Sequence, residues 1–345
     1  MVTYGDISPA LAAWAVVRML KRAMPLLVFE KFGQVYPLPT NSTQTAKFRR
    51  YFLAGATGAS GSGAGDFYTP LATTPLVEGV TPEGRQLANQ DYTVQLAQYG
   101  DYVIITDVVN DTHPDNILAE ATDLLGENAA ETVETLRYNV LKAGTNVFYA
   151  NQVASRANVK DRITLADQRR VTTALNRQNA KKITTVVASR PDFGTASVEA
   201  GYVAVVHPDL ETDIREMDGF KPVADYGPHT SPWEGEIGSV EQVRYIATTV
   251  AKPFEGAGAT VADAPDKRSN GGVRVDVYPI LYFARDAFGI VPLKGRSSMT
   301  PMVVNPKPAP GDPLGQRGSV GWKLWTGTVI LQEAFMVRLE VAATE

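Results

Sequence analysis

The chain has 345 residues, of which 44% are hydrophobic and 20% charged, so it is long enough for one large or two ordinary domains with a substantial core. Its formal net charge of -4 gives no global field that would make nucleic acid or an anionic membrane the main partner. The absence of cysteine excludes disulfides, thiolate metal sites and cysteine nucleophiles. No stretch reaches the roughly 20 apolar residues of a membrane span, and no secretory signal is evident, so we expect a protein that stays inside the cell that makes it.

The first 50 residues are basic. They contain seven Lys or Arg and two acids, a net charge of +5, so the rest of the chain carries -9. Such asymmetry favours an N-terminal arm that lies on an acidic neighbouring surface or faces a polyanion. The alternative is a solvated basic face.

Residues 55–65 form a run of Gly, Ala, Ser and Thr that cannot bury enough surface to order itself, which predicts a flexible loop. The run lacks the Gly-Lys-Ser/Thr ending of a phosphate-binding loop. After it, residues 91–98 and 102–109 alternate apolar and polar side chains around Gly100-Asp101, the pattern of a two-stranded ribbon. Together these features predict a long projecting hairpin region.

The strongest local pattern predicts one long helix from about Pro114 to about Ala143. Candidate caps, an early proline and acids at residues 111–115 mark its start. At 1.5 Å per residue the helix would be roughly 45 Å long, a rigid spine. The inward face is predicted to consist of Ile117, Ala121, Leu124, Leu125, Asn128, Thr132, Leu136, Val140 and Ala143. The outer face is predicted to carry Glu120, Asp123, Glu127, Glu131 and Glu134.

The rest of the chain predicts mixed α and β structure. A second helix is predicted at 165–176, and a short one after the proline-set turn at 206–215. Strands are predicted at 183–187, 201–206, 239–246, 273–284, 288–293 and within 322–341. Loops rich in Gly or Pro are predicted at 227–238, 252–272 and 305–318.

No motif for catalysis or cofactor binding emerges. The three histidines, His113, His207 and His229, lack metal-ligand spacing, and we interpret them as structural or surface residues. The chain contains neither a Gly-x-Ser-x-Gly nucleophile elbow nor a Gly-x-Gly-x-x-Gly dinucleotide motif. We therefore predict no catalytic, cofactor-binding or metal-binding residues.

Two other groups of residues have simple structural interpretations. Asp107, Asp111 and Asp115 are spaced by four, and acids at a helix start explain them better than a divalent-cation site does. Trp322 and Trp325 lie in a strand-rich segment, where tryptophan is more often a core or interface anchor than a ligand platform.

Several segments resemble, in their order and spacing, the major capsid proteins of tailed bacteriophages, of the branch typified by N-four-like podophages. Each segment alone is weak, and the likeness covers most of residues 75–340. The segments are Glu78–Gly84, Gln98–Val103, Asp107–Ala150, His207–Asp209, Gly238–Arg244, and Asp312–Gly318 with Gly321-Trp322.

This resemblance implies an α+β fold of the Hong Kong 97 (Johnson) type. Carried over, it divides the chain into an N-terminal arm (1–50), an extended loop region (51–95), a peripheral domain with the spine helix (96–160), an axial domain (161–300) and a C-terminal return to the peripheral domain (301–345). The arm, the ribbon and the spine are also predicted by the residues alone. The glycine run inside the extended loop departs from the family's pattern.

The resemblance also implies a function. The chain would be a major capsid protein and not an enzyme, made in the host bacterial cytoplasm and located in the virion capsid. Copies would assemble into hexamers and pentamers of an icosahedral head around phage double-stranded DNA, with portal, scaffold or decoration proteins as further partners. Because the body of the chain carries -9, contact with DNA would be loose and salt-sensitive, and no membrane is involved.

Charge suggests which residues contact neighbouring subunits. They are Arg49, Arg50, Glu78, Glu120, Glu127 and Glu131. Two alternative functions stay open from the sequence: an encapsulin-like shell of a cellular compartment, and a soluble hydrolase with an unrecognised site.

Overall fold

A computed structural model of the chain describes residues 17–19, 21–22, 26–53, 75–81, 87–108, 117–183, 200–226, 233–293, 300–304, 308 and 313–345. The helices that lie wholly within these residues are α1 (Ile117–Lys142), α2 (Leu165–Arg177) and α3 (Glu211–Arg215). None of the helices in this described part of the chain is both long and apolar enough to cross a lipid bilayer.

The strands belong to three sheets. In chain order they are β1 (Gln34–Val35), β2 (Thr45–Leu53), β3 (Leu87–Gln95), β4 (Ala97–Thr106), β5 (Val147–Tyr149), β6 (Tyr202–Val206), β7 (Phe220–Pro222), β8 (Glu236–Val240), β9 (Val243–Ala247), β10 (Val277–Phe283), β11 (Phe288–Pro292), β12 (Thr300–Val304), β13 (Arg317–Ile330) and β14 (Met336–Ala342).

The chain forms two compact units. The first comprises residues 1–44, 95–140 and 290–328. It contains most of a five-stranded sheet in the order β1-β11-β13-β12, with β4 paired to β13. α1 covers one face of this sheet with small side chains such as Ala129, which meet Val320 and Trp322 of β13 in a common core. Small residues on the helix let it approach the sheet closely.

The second unit comprises residues 45–94, 141–289 and 329–345. Its main sheet has seven strands in the order β5-β14-β10-β6-β9-β8-β7, with parallel pairs at β5/β14 and β6/β9. Every residue of β6, β10 and β14 is buried, as expected for central strands covered on both faces. β2 and β3 form a separate two-stranded ribbon.

The predicted spine helix is confirmed, since α1 runs through 26 residues, about 39 Å at 1.5 Å per residue. Its predicted start at 111–116 lies outside the described residues. The prediction of its inward face was partly wrong. Ala121 and Leu125 are buried, but Leu124 is 63% exposed and Val140 37%. Alanines such as Ala129 and Ala130 occupy the inward positions, where both the sheet and the N-terminal segment pack against the helix.

The predicted ribbon with a turn at Gly100-Asp101 was wrong. β4 continues through these residues and pairs along its whole length with β13, whereas β3 pairs with β2. The strand requires glycine at position 100, because a Cβ there would lie 2.6 Å from the carbonyl oxygen of Trp322. The two-stranded ribbon is therefore β2/β3. The glycine run at 55–65, between these two strands in sequence, lies outside the described residues.

Downstream predictions that fall on described residues were mostly confirmed, whereas the strand predicted at 183–187 lies, beyond residue 183, outside the described residues. α2 matches the predicted second helix, and Thr164 caps it by accepting a hydrogen bond from the Asp167 amide at 3.2 Å. The segment 239–246, predicted as one strand, is instead a tight hairpin of β8 and β9, whose turn places Glu241 at a φ of 49°. The C-terminal segment holds two strands, β13 and β14, which belong to different sheets.

Candidate assembly surface

The N-terminal segment lies along the acidic side of α1 within the first unit. Arg18 binds Asp123 with two hydrogen bonds, Nε to Oδ1 at 2.6 Å and Nη2 to Oδ2 at 2.8 Å. One turn further along, Arg22 Nη1 lies 2.8 Å from Glu127 Oε1. The Arg18 guanidinium lowers the pKa of Asp123 below its usual value. Basic residues of the predicted arm thus have acidic partners on the chain's own helix.

Glu134 anchors the same segment from a fully buried position. Its Oε2 accepts hydrogen bonds from the backbone amides of Val28 at 3.2 Å and Phe29 at 3.0 Å, while Oε1 accepts one from Arg137 Nη1 at 2.9 Å. Burial raises the pKa of Glu134, and these hydrogen bonds offset part of the effect. The Phe29 ring stacks on Tyr138 with 6.3 Å between centroids. The carboxylate therefore fixes the segment at the point where a short 3-10 turn begins.

Gly126 explains how the segment can lie so close to α1. A Cβ at this position would lie 2.9 Å from the carbonyl oxygen of Met19 and 3.0 Å from its Cα. Met19 is completely buried at this crossing. Glycine inside a helix lowers the stability of the helix. Its presence at position 126 is explained by the close approach of the Met19 backbone to α1.

The predicted outer face of α1 is therefore only partly a solvent face. Asp123 and Glu134 were predicted to be exposed, and both are buried because the N-terminal segment covers them. Glu120 and Glu131 are exposed, and Glu127 is half-buried beside Arg22. Residues 120, 127 and 131 share one stripe of the helix at spacings of seven and four. Their role as contacts between subunits stays a prediction.

The other three predicted interface residues lie in the second unit. Arg49 on β2 forms two hydrogen bonds with Asp91 on β3, at 2.7 and 2.9 Å, so it ties the ribbon together. Arg50 Nη1 donates to Gln332 Oε1 at 2.8 Å. Glu78 is exposed on a turn in the described segment 75–81. The interface role of these three residues also stays a prediction.

A further exposed surface was not predicted from the sequence. On the face of the first unit's sheet opposite α1, Tyr102 and Ile104 of β4 stand on one side of Gly321, and Met302 and Val304 of β12 stand on the other. We call these five residues the apolar trough; a groove of about 420 Å³ runs along it. The period-two pattern of its apolar residues is visible in the sequence, but the strand pairing that brings them together is not.

The candidate histidine and tryptophan residues that the structure describes have structural contacts. Among them, no group of His, Asp and Glu is arranged to hold a metal ion. His207 is a local cap, since its Nδ1 accepts a hydrogen bond from the Asp209 amide at 3.2 Å. His113, His229, Asp111 and Asp115 lie outside the described residues. Trp322 is buried and its Nε1 donates to Asn128 Oδ1 at 3.1 Å, which confirms a packing role.

A polar cavity of about 830 Å³ lies beside α2 in the second unit. Arginines line it, but ion pairs engage them: Arg169 Nη2 lies 2.5 Å from Glu241 Oε1, and Arg162 pairs with Glu216. Carboxylates therefore balance the charges of these two arginines.

Comparison with known proteins agrees with the fold. A family model described as phage capsid protein matches residues 90–339. The chain belongs to the phage capsid protein family. It is a structural protein of the virion shell and not an enzyme, and the family match favours a phage shell over a cellular compartment shell. No curated protein sequence matches the chain.

Solved structures of phage capsids share the capsid protein's fold. The capsid of Ralstonia phage GP4 aligns with a TM-score of 0.65 at 14% identity, covering 91% of this chain and 87% of that one. The cyanophage Pam1 capsid aligns with a TM-score of 0.58 at 16% identity, covering 94% and 92%. The head of Helicobacter pylori bacteriophage KHP40 gives 0.55 at 14% identity, covering 90% and 87%. The predicted α+β Hong Kong 97-type fold is confirmed. The podophage branch stays a prediction.

Proposed function

We propose that copies of this capsid protein close into hexamers and pentamers, which build an icosahedral head around phage double-stranded DNA. The observation that carries the proposal is the family match over residues 90–339. Identical subunits that use heterologous contacts form closed rings, and rings of two sizes close a shell. Function then resides in surfaces repeated in every copy, and no reactive pocket is required.

The proposed division of labour follows the segments predicted from the sequence. Residues 1–50 act as the arm and 51–95 as the extended loop. Residues 96–160, with the C-terminal return at 301–345, act as the peripheral domain, and 161–300 as the axial domain. Two features support this division. α1 supplies a rigid rod of 26 residues, and β2 and β3 pair in a two-stranded sheet of their own.

The proposed contacts between subunits involve two kinds of residue. Glu78, Glu120 and Glu131 are exposed and available to a neighbouring copy. Arg49, Arg50 and Glu127 have partners in their own chain. Exposed polar contacts of the Arg49 kind contribute little, so each of these side chains can exchange its partner for a complementary group of a neighbour when a shell forms. We propose that this exchange is how the second group takes part in assembly.

Further partners follow from the proposed role. Portal, scaffold and decoration proteins are proposed neighbours in the head, and synthesis is proposed to occur in the host bacterial cytoplasm. Contact with packaged DNA is proposed to be loose, because the chain beyond residue 50 carries -9. A nanomolar, sequence-selective affinity for duplex DNA would contradict this part of the proposal.

The test of the proposal is the assembly state of the purified protein. The chain is expressed alone and with the products of its neighbouring genes, then analysed by sedimentation velocity and negative-stain electron microscopy. The expected result is shells, tubes or sheets built from rings of identical subunits. A protein that stays a small discrete particle in every combination would refute the proposal.

A further inference from the structure

Residues 156–182 are more basic than the predicted arm. They contain eight Lys or Arg and two acids, a net charge of +6, although the whole chain carries -4. The arm reaches +5 over its 50 residues. Positive charge concentrated in one part of an otherwise acidic protein is the electrostatic footprint of a surface that binds a polyanion.

Folding gathers much of this charge around the polar cavity beside α2. Besides the carboxylates of Asp161 and Asp167, five cationic side chains line the cavity of about 830 Å³. Four of the five are arginines, whose planar guanidinium groups bind phosphate oxygens through two parallel hydrogen bonds. The lining therefore suits an anion that presents several oxygens. The five cations are Arg162, Arg169, Arg170, Arg177 and Lys267.

A strained turn on the cavity wall engages both lining carboxylates. Asn151 and Gln152 line the cavity with φ of 50° and 57°, a left-handed conformation that side chains other than glycine rarely adopt. Asp167 Oδ1 accepts a hydrogen bond from the Asn151 amide, and Asp161 Oδ2 accepts one from Asn151 Nδ2, both at 3.2 Å. Backbone strain of this kind clusters at ligand sites. The exposed Gln152 amide is a further donor for a ligand.

Arg170 has an unused hydrogen-bond donor beside the cavity. Its Nη2 donates to the Tyr149 carbonyl at 2.5 Å and lies 3.5 Å from Asp167 Oδ1, and its guanidinium carbon lies 5.2 Å from the centroid of the Phe148 ring. These contacts hold the guanidinium in place. Its Nε is buried, however, and has no hydrogen-bond partner among the residues that the structure describes. An orphaned buried donor is costly, so an anion's oxygen in the cavity would satisfy a group that the fold leaves unsatisfied.

The ion pairs on the rim of the cavity are exposed. The side chains of Arg169 and its partner Glu241 are 60% and 38% exposed, and those of Arg162 and its partner Glu216 are 47% and 55% exposed. Water and salt weaken exposed ion pairs so far that many contribute almost nothing to stability. Phosphate groups can therefore replace these carboxylates at little cost.

We propose that this cavity and the adjoining face of α2 bind phosphate groups of the double-stranded DNA packaged in the head. The inference rests on the proposed function and names the surface where the DNA contact occurs. Phosphate contacts do not read the bases, so binding is non-specific, salt-dependent and weak, with a Kd of about 1–100 μM. Arg18 and Arg22 of the arm already pair with α1. The surface around α2 therefore carries the contact.

Binding of a DNA duplex to the full-length, unassembled protein is the first test. Fluorescence anisotropy follows a labelled duplex of about 30 base pairs in about 50 to 200 mM NaCl. Arg169→Gln with Arg177→Gln should weaken binding about tenfold at the lowest salt and reduce the slope of log K against log salt by about two. The matched control, Lys221→Gln with Arg274→Gln, removes the same charge from exposed positions that do not line the cavity. It should change the affinity less than about twofold, and circular dichroism checks that each variant is folded.

Photo-cross-linking inside DNA-filled heads separates DNA from an acidic protein as the bound partner. A photoreactive benzoylphenylalanine is placed at Thr173, an exposed residue of the cavity, or at Val273, a control position that is 73% exposed and does not line it. A held contact raises the local concentration of the partner, so irradiation should give about tenfold more nuclease-sensitive adduct at Thr173 than at Val273.

The outcomes separate this inference from the proposed function. Heads that assemble and fill with DNA support the proposed function whatever the cavity binds. If filled heads give no more DNA adduct at Thr173 than at Val273, or if Thr173 cross-links to a protein instead, the DNA site is wrong. Equal losses of affinity in the arginine pair and the control pair would also overturn it, because binding would then follow total charge. The binding assay needs no head, so it decides the inference even if assembly fails.

Discussion

Replacing Glu134 with alanine should cost the subunit much of its stability. The change leaves the backbone amides of Val28 and Phe29 without their acceptor and leaves Arg137, which is only 5% exposed, with the longer 3.4 Å contact to Glu30 in place of its 2.9 Å bond to Glu134. Removing one partner of a buried, hydrogen-bonded ion pair typically costs about 3–5 kcal/mol. Glu134→Gln keeps an acceptor for the amides and loses the charge, so its cost should be smaller, about 1–2 kcal/mol.

The matched control is Glu131→Ala, one turn away on the exposed side of α1. Its effect should stay within about 0.5 kcal/mol. The assay is urea unfolding of dissociated subunits followed by tryptophan fluorescence, with amide exchange at Phe29 reporting release of the N-terminal segment. If Glu134→Ala and Glu131→Ala unfold at the same urea concentration, the carboxylate does not anchor the segment and this reasoning is refuted.

Three smaller changes test neighbouring contacts. Gly126→Ala should gain about 1 kcal/mol from helix propensity, but the added methyl forces Met19 away from α1, which costs about 1–3 kcal/mol. In urea unfolding, the full-length variant should therefore be less stable than the natural chain. A shortened chain that starts after residue 25 lacks Met19, so there the same substitution should increase stability. Arg18 lowers the pKa of Asp123, so the pair stabilises the fold above the pKa that the carboxyl has in the unfolded chain, and this stabilisation is lost as the pH falls through the pKa of the folded state. Asp123→Asn should therefore unfold at a lower urea concentration than the natural chain at pH 7, and at the same concentration at low pH. Arg49→Ala, which removes an exposed pair, should leave the unfolding midpoint unchanged.

Each of these three predictions could be contradicted by a specific result. Stabilisation of the full-length chain by Gly126→Ala would mean that Met19 does not cross the helix there. An unchanged gap between Asp123→Asn and the natural chain across the acid range would mean that the carboxylate's ionisation is not linked to folding. A clear loss of stability in Arg49→Ala would show that the ribbon depends on that ion pair more than its exposure suggests.

The sequence predicted the long helix because its evidence is local. Apolar residues recurring at helical spacing are set by the helix itself, and α1 ends at Lys142, one residue before the predicted end at Ala143. Which side of the helix is covered is not a local property. Asp123 and Glu134 carry charge and look like solvent-facing residues, yet their partners lie roughly a hundred positions earlier in the chain. No periodicity within the helix indicates such a partner.

The prediction of the strand pairing was wrong for a similar reason. Alternation shows that a strand has one sheltered face but does not identify its neighbour. Gly100-Asp101 looks like a turn, and the glycine is instead required by the close passage of the Trp322 backbone, more than 200 residues away in sequence. The apolar trough was missed because it exists only once β4, β12 and β13 are set side by side.

A cryo-electron microscopy reconstruction of the assembled protein tests the central claim most directly. The account predicts closed shells of hexamers and pentamers in which α1 is an unbroken rod in every copy and neighbouring subunits meet through surfaces repeated around each ring. Particles whose subunits contact one another through no repeated surface, or a protein that remains monomeric at high concentration with its neighbouring gene products present, would contradict it.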